Sequence, residues 1–127
     1  SCDFISAYER RNIPGIYQAF IACKPKIHFF KKAIDMIVEN TENNYYPPIN
    51  KIDKWISILA VTGPVLLANA MEIKVKEGFS KKDGVKIYLY KFTGNICDNN
   101  KVIIKNGTSY KKKTNYAQMF RKRDIYN

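Results

Sequence analysis

Histidine is almost missing from this chain, with His28 alone among 127 residues. It stands just before a helical face, where a lone histidine reads as a surface or capping residue rather than a ligand. Cysteine is sparse: Cys2, Cys23 and Cys97 are odd in number and widely spaced. Without a C-x-x-C or Cys/His cluster, neither a zinc site nor a disulfide framework is indicated. A reducing, cytoplasmic compartment fits that usage, and Cys23, inside an apolar run, reads as a small core residue. There is no G-x-G-x-x-G and no P-loop. Asp3, Asp35, Asp53, Asp83, Asp98 and Asp124 never form an Asp-x-Asp pair, and no Ser/His/Asp or Cys/His arrangement can be drawn. Acidic residues are half as frequent as basic ones, 11 against 22, which leaves a net charge of +11.

What is present is enough for one folded domain. The chain is 46% hydrophobic and 13% aromatic, too rich in Ile, Tyr and Phe for a disordered segment. Two readings of the positive charge stay open. It fits a nucleic-acid or anionic partner. It also fits a low-GC coding bias, because Lys, Ile, Asn and Tyr, all with A/T-rich codons, make up 56 of the residues. Residues 55–71, "WISILAVTGPVLLANAM", carry no charge, but the run is 17 residues long and broken by Gly63-Pro64. A spanning helix needs roughly 20 unbroken apolar residues, so two buried elements joined by a turn are expected and no transmembrane segment. The N-terminal "SCDFISAYERR" has no signal-peptide pattern. It starts without Met and directly in what reads as strand, which suggests a processed or truncated chain.

Periodicity divides the chain. Residues 4–8 alternate as a short strand, and 9–15 end in Pro-Gly as a surface loop. "IYQAFIAC" at 16–23 is apolar nearly throughout, which predicts a central strand buried on both faces with neighbours on both edges. Phe30, Ala33, Ile34, Ile37 and Val38 then fall on one helical face, with Lys31, Lys32, Asp35 and Glu39 on the other. Lys31 and Asp35 form a favourable i,i+4 pair. Tyr45 to Asn50 form a proline-stiffened loop, and 51–61 a shorter helix. Pro64 suits the first position of a third, almost wholly buried helix, with Gly63 as cap and Thr62 just outside. Residues 74–84 read as a polar loop. "VKIYLYKF" at 85–92 alternates, with Val85, Ile87, Leu89 and Lys91 on one side. A strand, a turn at Asp98-Asn99-Asn100 and another strand follow. The order is β-β-α-α-α-β-β-β plus a tail: mixed α/β, and part of a larger sheet.

The tail, 106–127, interleaves Lys111-Lys112-Lys113 and Arg121-Lys122-Arg123 with Tyr110, Tyr116, Phe120 and Tyr126. Such a segment can hold single-stranded nucleic acid by phosphate contacts and stacking, or its aromatics can pack down on the body of the domain (residues 1–105). Asn106-Gly107-Thr108 matches a glycosylation acceptor but reads better as a turn. Thr62-Gly63-Pro64 has two readings as well. It is an ordinary helix start, or it is the lip of a site, since a helix N-terminus offers unpaired N–H groups and partial positive charge to a phosphate or sugar hydroxyl.

The succession "IYQAFIACKP", an amphipathic helix, "TGPVLLANAM", strands, and the aromatic-basic end "YAQMFRKRDIYN" resembles glycosyltransferase family 32. These enzymes have a sugar-binding region containing a DXD motif and are related to capsular-polysaccharide and α-mannosyl transferases. The resemblance covers nearly all of the chain. It implies the C-terminal part of a GT-A-like fold and transfer of a sugar from a nucleotide-sugar donor to a glycan acceptor. It implies Mn²⁺ or Mg²⁺ bridging the DXD carboxylates and the donor diphosphate. By the resemblance Gln18, Thr62, Gly63 and Pro64 are substrate contacts, and Asn115 stands at the position near the metal.

The chain departs from the family's pattern in several places. The DXD motif belongs before the stretch like "CDFISAYE", so the donor-binding half is expected on a longer precursor or another chain. The family commonly has Asn where Gln18 stands and an acidic residue where Ala60 stands. It has His-Tyr and then Trp where Asn115, Tyr116 and Phe120 stand. Its Pro-Gly-His-Pro is replaced by Pro25-Lys26-Ile27-His28. The chain is therefore expected to be either half of a longer or split transferase, or a degenerate remnant. The other functional class is a small basic module that binds nucleic acid or an anionic surface through 110–123. On the transferase reading, the 127 residues alone release no nucleotide from UDP- or GDP-sugars in the presence of Mn²⁺; turnover in a nucleotide-release assay would contradict it.

Overall fold

A computed structural model describes residues 1–8, 13–47 and 54–105; between 54 and 58 only the side chain of Ser57 is described. The chain forms a mixed α/β domain: β1 (Phe4–Tyr8), β2 (Ile16–Cys23), α1 (His28–Glu42), α2 (Lys54–Thr62), α3 (Pro64–Met71), β3 (Gly78–Lys82), β4 (Val85–Phe92), β5 (Ile96–Asp98) and β6 (Lys101–Ile104). The strands make one curled sheet in the order β2-β1-β4-β5-β6. β1 and β4 run parallel, from Phe4 opposite Ile87 to Tyr8 opposite Lys91. The other pairs are antiparallel. β3 and β5 share the edge of β4 that faces away from β1, one along Val85–Leu89 and the other at Lys91–Phe92.

Alternation gives the sheet two different faces. Phe4, Ile16, Ile87 and Leu89 point to one side and pack with Phe29 and Ala33 of α1 and Leu66, Leu67, Ala68, Ala70 and Met71 of α3. The helix α3 is buried at every one of these positions, as a sequence with Asn69 as its one polar residue predicts. The opposite face holds a smaller cluster of Ala7, Phe92 and Ile96 with Tyr17, Phe20 and Tyr90, to which, among the described residues, no helical one belongs. Among the described residues, no helix is long and apolar enough to cross a membrane.

Four expectations need correction. β2 is an edge strand, not a central one, and its pattern is mixed: Ile16 is buried while Gln18, Ala19, Ala22 and Cys23 are exposed. Its apolar run reflects Ile16 and Ile21 packing on the helix side, Tyr17 and Phe20 packing on the other face, and an outer edge that no described strand pairs. Cys23 is consequently exposed rather than a core residue. Of the expected face of α1, Phe30, Ala33 and Ile37 pack on the core together with Phe29 and Met36, while Ile34 and Val38 are left 58% and 47% exposed. The helix α1 packs mainly on α3, so the covered stripe takes in Phe29 and Met36 and leaves out Ile34 and Val38. Finally, 74–84 is not all loop. Asp83 and Gly84, both at positive φ (48° and 79°), make the tight turn of a β3–β4 hairpin. Such a turn is favoured because its twist matches that of the strands. The strand β3 has no apolar alternation and is held by its ladder with β4.

Two polar contacts fix the frame around β1. The Asp3 carboxylate accepts from Lys24 (2.6 Å) and from the backbone N–H of Lys86 (2.8 Å). The Lys24 hydrogen bond, and then the Lys86 amide, hold the Asp3 carboxyl below the usual carboxylate range. Ser6 is fully buried, and its hydroxyl donates to the carbonyl of Phe20 at 2.8 Å, with that of Tyr17 at 3.2 Å. The register of β1 on β2 jumps at this point, between Ser6 and Tyr8. A bulge leaves ladder groups unpaired, and the hydroxyl supplies a donor where the ladder has none. Replacing Ser6 by Ala should destabilise the domain by about 1 kcal/mol, the cost of a part-buried carbonyl left without its donor. Chemical denaturation of the two proteins measures the difference, and an unchanged midpoint would exclude this role.

Candidate functional site: the α2–α3 corner and the start of β2

The corner between α2 and α3 is built by residues with little freedom. Gly63 N–H closes α2 on Leu59 O (3.0 Å), and Gly63 O opens α3 by accepting from Leu67 N–H (3.2 Å). A side chain on Gly63 would stand 2.9 Å from the Leu59 carbonyl oxygen, so glycine is what allows the chain to turn so tightly. Pro64 follows as the first helical residue, where a missing N–H costs no hydrogen bond. The last turn of α2 is held from outside: the Asn40 amide of α1 donates to the Val61 carbonyl at 2.9 Å. Helix ends leave such carbonyls without intrahelical partners. Thr62, Gly63 and Pro64 are all half-buried, at the surface rather than deep in the core.

This corner sits on the start of β2. A Cβ on Gly15 would meet the Pro64 Cβ at 2.9 Å, the Pro64 carbonyl carbon at 3.0 Å and the Val65 nitrogen at 3.2 Å. The first turn of α3 therefore lies directly against Gly15. The next residue, Ile16, is buried and pairs with Tyr8, and Tyr8 pairs with Lys91. Tyr8 and Lys91 are the carboxyl-terminal ends of the parallel pair β1/β4. The helix start is thus placed at the end of the parallel strands, where open α/β sheets bind their ligands.

Gln18 lies three residues beyond Gly15, roughly 10 Å along an extended strand. It is exposed, between the two carbonyls that face Ser6. The bulge therefore turns Gln18 and Ala19 outward. The fold brings Thr62, Gly63 and Pro64 together with Gly15, and puts Gln18 further along the same strand. Asn115 lies outside the described residues, as do the tail's basic clusters and Asn106-Gly107.

A divalent ion finds no ready ligand set here. Among the described residues, no three His, Cys, Asp or Glu side chains are close enough to hold a metal. None of the four residues at this corner is a carboxylate, so no chemistry is routed through a metal by the side chains present. His28 is half-exposed and meets Asp83 at 3.4 Å, a surface contact. Lys31 and Asp35 pair at 2.7 Å, as their spacing predicts.

The sequence reading missed Ser6, Gly15 and Asn40 as positioning residues. Gly15 was legible only as part of a Pro-Gly loop, because its need for a bare Cα comes from a helix 49 positions away along the chain. Ser6 and Asn40 carried no local signal, since each bonds a backbone carbonyl of another element.

Comparison with known proteins finds no matching family model, no similar curated protein and no similar solved structure.

Placing Ala at position 15 should push α3 off β2 and destabilise the domain by about 1–3 kcal/mol, the range for overpacking a tight contact. The groups it would meet are a proline ring and helix backbone, neither of which can rotate aside. Thermal unfolding monitored by circular dichroism checks this, and an undiminished melting temperature would count against the close approach.

Proposed function

We propose that this chain is the acceptor-side part of a family-32-like glycosyltransferase, in which the Thr62–Pro64 corner and Gln18 face sugar. The observation that carries the reading is the position of the α3 start, on Gly15, at the carboxyl ends of the parallel strands β1 and β4. Of the residues that the family resemblance marks out, Thr62, Gly63 and Pro64 form that corner, and Gln18 lies exposed three residues beyond Gly15 on β2.

The chemistry open to these residues is binding and orientation. A helix start has backbone N–H groups without intrahelical acceptors and a partial positive charge. Sugar hydroxyls and a departing diphosphate are suitable acceptors for them. Thr62 can donate or accept through its hydroxyl, and the Gln18 amide can do both at once. Two such groups on rigid elements can set which hydroxyl is presented to a donor sugar, which is how a transferase gains from orientation. A GT-A-like arrangement and a divalent ion held by an upstream DXD segment belong to this proposal as expectations of the resemblance.

The test is a titration of the ¹⁵N-labelled chain with UDP- and GDP-sugars and with free oligosaccharides. Amide shifts are expected at 62–66 and at 17–19, in the millimolar range, and weakened at least threefold by Thr62→Val or Gln18→Ala. A chain whose corner is silent to every sugar, but which binds oligonucleotides in a salt-dependent way lost when 110–123 is deleted, is instead the small basic binding module.

A further inference from the structure

The β3–β4 hairpin sets two lysines directly opposite each other. Lys81 of β3 faces Lys86 of β4, and on the same side of the ladder Phe79 faces Tyr88. Like charges opposite one another weaken a sheet. Both lysines are exposed, and no carboxylate among the described residues lies within ion-pair distance of either ammonium. Two nearby carboxylates are already engaged. Asp3 is bonded to Lys24 at 2.6 Å, and Asp98 accepts from the Tyr88 hydroxyl at 3.0 Å. The lysine pair is therefore a cost to the hairpin that an external anion would offset.

Rings stand beside that pair. Ile87 and Leu89 are buried against the helices, so alternation sends Lys86, Tyr88 and Tyr90 to the other face, with Phe79 and Lys81 across the ladder. Phe79 stands against Tyr88 at 4.5 Å, and Tyr88 meets Tyr90 at 4.8 Å. Phe79 is 73% exposed. A lone exposed phenylalanine is ordinary surface; one that adjoins two more rings and an unpaired lysine couple is a composite surface. Its chemistry fits a chain of flat rings joined by anions. Stacking takes up the bases whatever their sequence, and lysines take up the phosphates. A duplex hides its base faces and fits less well. A lipid surface fits less well too, because Tyr88 and Tyr90 are half-buried and Phe79 alone projects. The net charge of +11 draws a polyanion toward the chain.

We propose that this face of the β3–β4 hairpin binds single-stranded nucleic acid, with bases stacked on Phe79 and Tyr88 and phosphates held by Lys81 and Lys86. The surface uses no residue of 110–123. It does not rest on the sugar reading, whose residues belong to the α2–α3 corner and β2.

The test is fluorescence anisotropy of labelled oligo-dT and oligo-rU with the full chain and its point variants. Phe79→Ala should weaken binding at least about fivefold, and Phe79→Trp should preserve it. Changing Lys81 and Lys86 together to Gln should lower the slope of log affinity against log salt by about 1.4, at roughly 0.7 per phosphate contact on a single strand. All three side chains are exposed, and circular dichroism checks that each variant folds. Should Phe79→Ala fail to fold, the salt slope of the lysine variant decides. The proposal is overturned by a chain that binds neither oligonucleotide, or by binding that these substitutions leave unchanged. A duplex bound as tightly as the single strand overturns it as well. So does a Phe79→Ala variant that loses only its hold on phosphatidylserine vesicles, which would make the face a lipid contact.

Discussion

The burial of α3 is the constraint on which this domain rests. Eight residues from Pro64 to Met71 include six that water does not reach, and only Asn69 is exposed along the helix body. A helix so apolar cannot lie on a surface; it must be enclosed. Here α1 and α2 flank it and the sheet lies beneath, through Phe4, Ile16, Ile87 and Leu89. Deleting a large side chain from such a position typically costs ~2–5 kcal/mol, a large part of a small domain's stability. Everything that defines the α2–α3 corner follows from this placement. The helix can begin only where Gly63 permits the turn, and it can approach β2 only where Gly15 has no side chain.

That enclosure makes the sheet one-sided. The helices use up the face that carries Ile87 and Leu89, and the neighbouring residues Tyr88, Tyr90 and Phe92 are directed away from them. Tyr88 is raised in pKa by burial and by the Asp98 carboxylate that it bonds, so its hydroxyl stays a neutral donor. The two faces thus differ in kind. One is a dense aliphatic core, and the other is a row of rings with hydroxyl groups that is only partly covered. The corner at the helix start and the aromatic row lie on different faces of the sheet, and β2 contributes to both.

The parts of the fold legible in the sequence were those governed by local rules. The buried helix with proline first, the alternation of β4, and the turn at Asn99-Asn100 all follow from residue type and spacing. The turn residues adopt positive φ as asparagine tolerates. The i,i+4 pair of Lys31 and Asp35 is equally local. The misreadings share a cause. The apolar composition of β2 predicts a central strand because composition reports burial without saying which neighbour provides it. The apolar face of α1 is covered only in part, without Ile34 and Val38, because its covered stripe is set by contact with α3 and not by the widest hydrophobic arc. The strand β3 escaped because its partner, rather than its own pattern, makes it a strand. At the α2–α3 corner, Gly63 and Pro64 were legible as a helix start, whereas Ser6, Gly15 and Asn40 carried no local signal.

What the residues alone determined is therefore the set of elements and their sidedness: helices where the period is 3.6, strands where it is 2, and turns where glycine, proline or asparagine relieve the backbone. These are properties of a few consecutive residues and their rotatable bonds. The tertiary structure alone decided which strand became the edge, which stripe of α1 was covered, and that a helix start would rest on Gly15 beside the ends of two parallel strands. Those outcomes depend on contacts between segments tens of residues apart. Their energies are decided by shape and proximity, which a linear pattern does not carry.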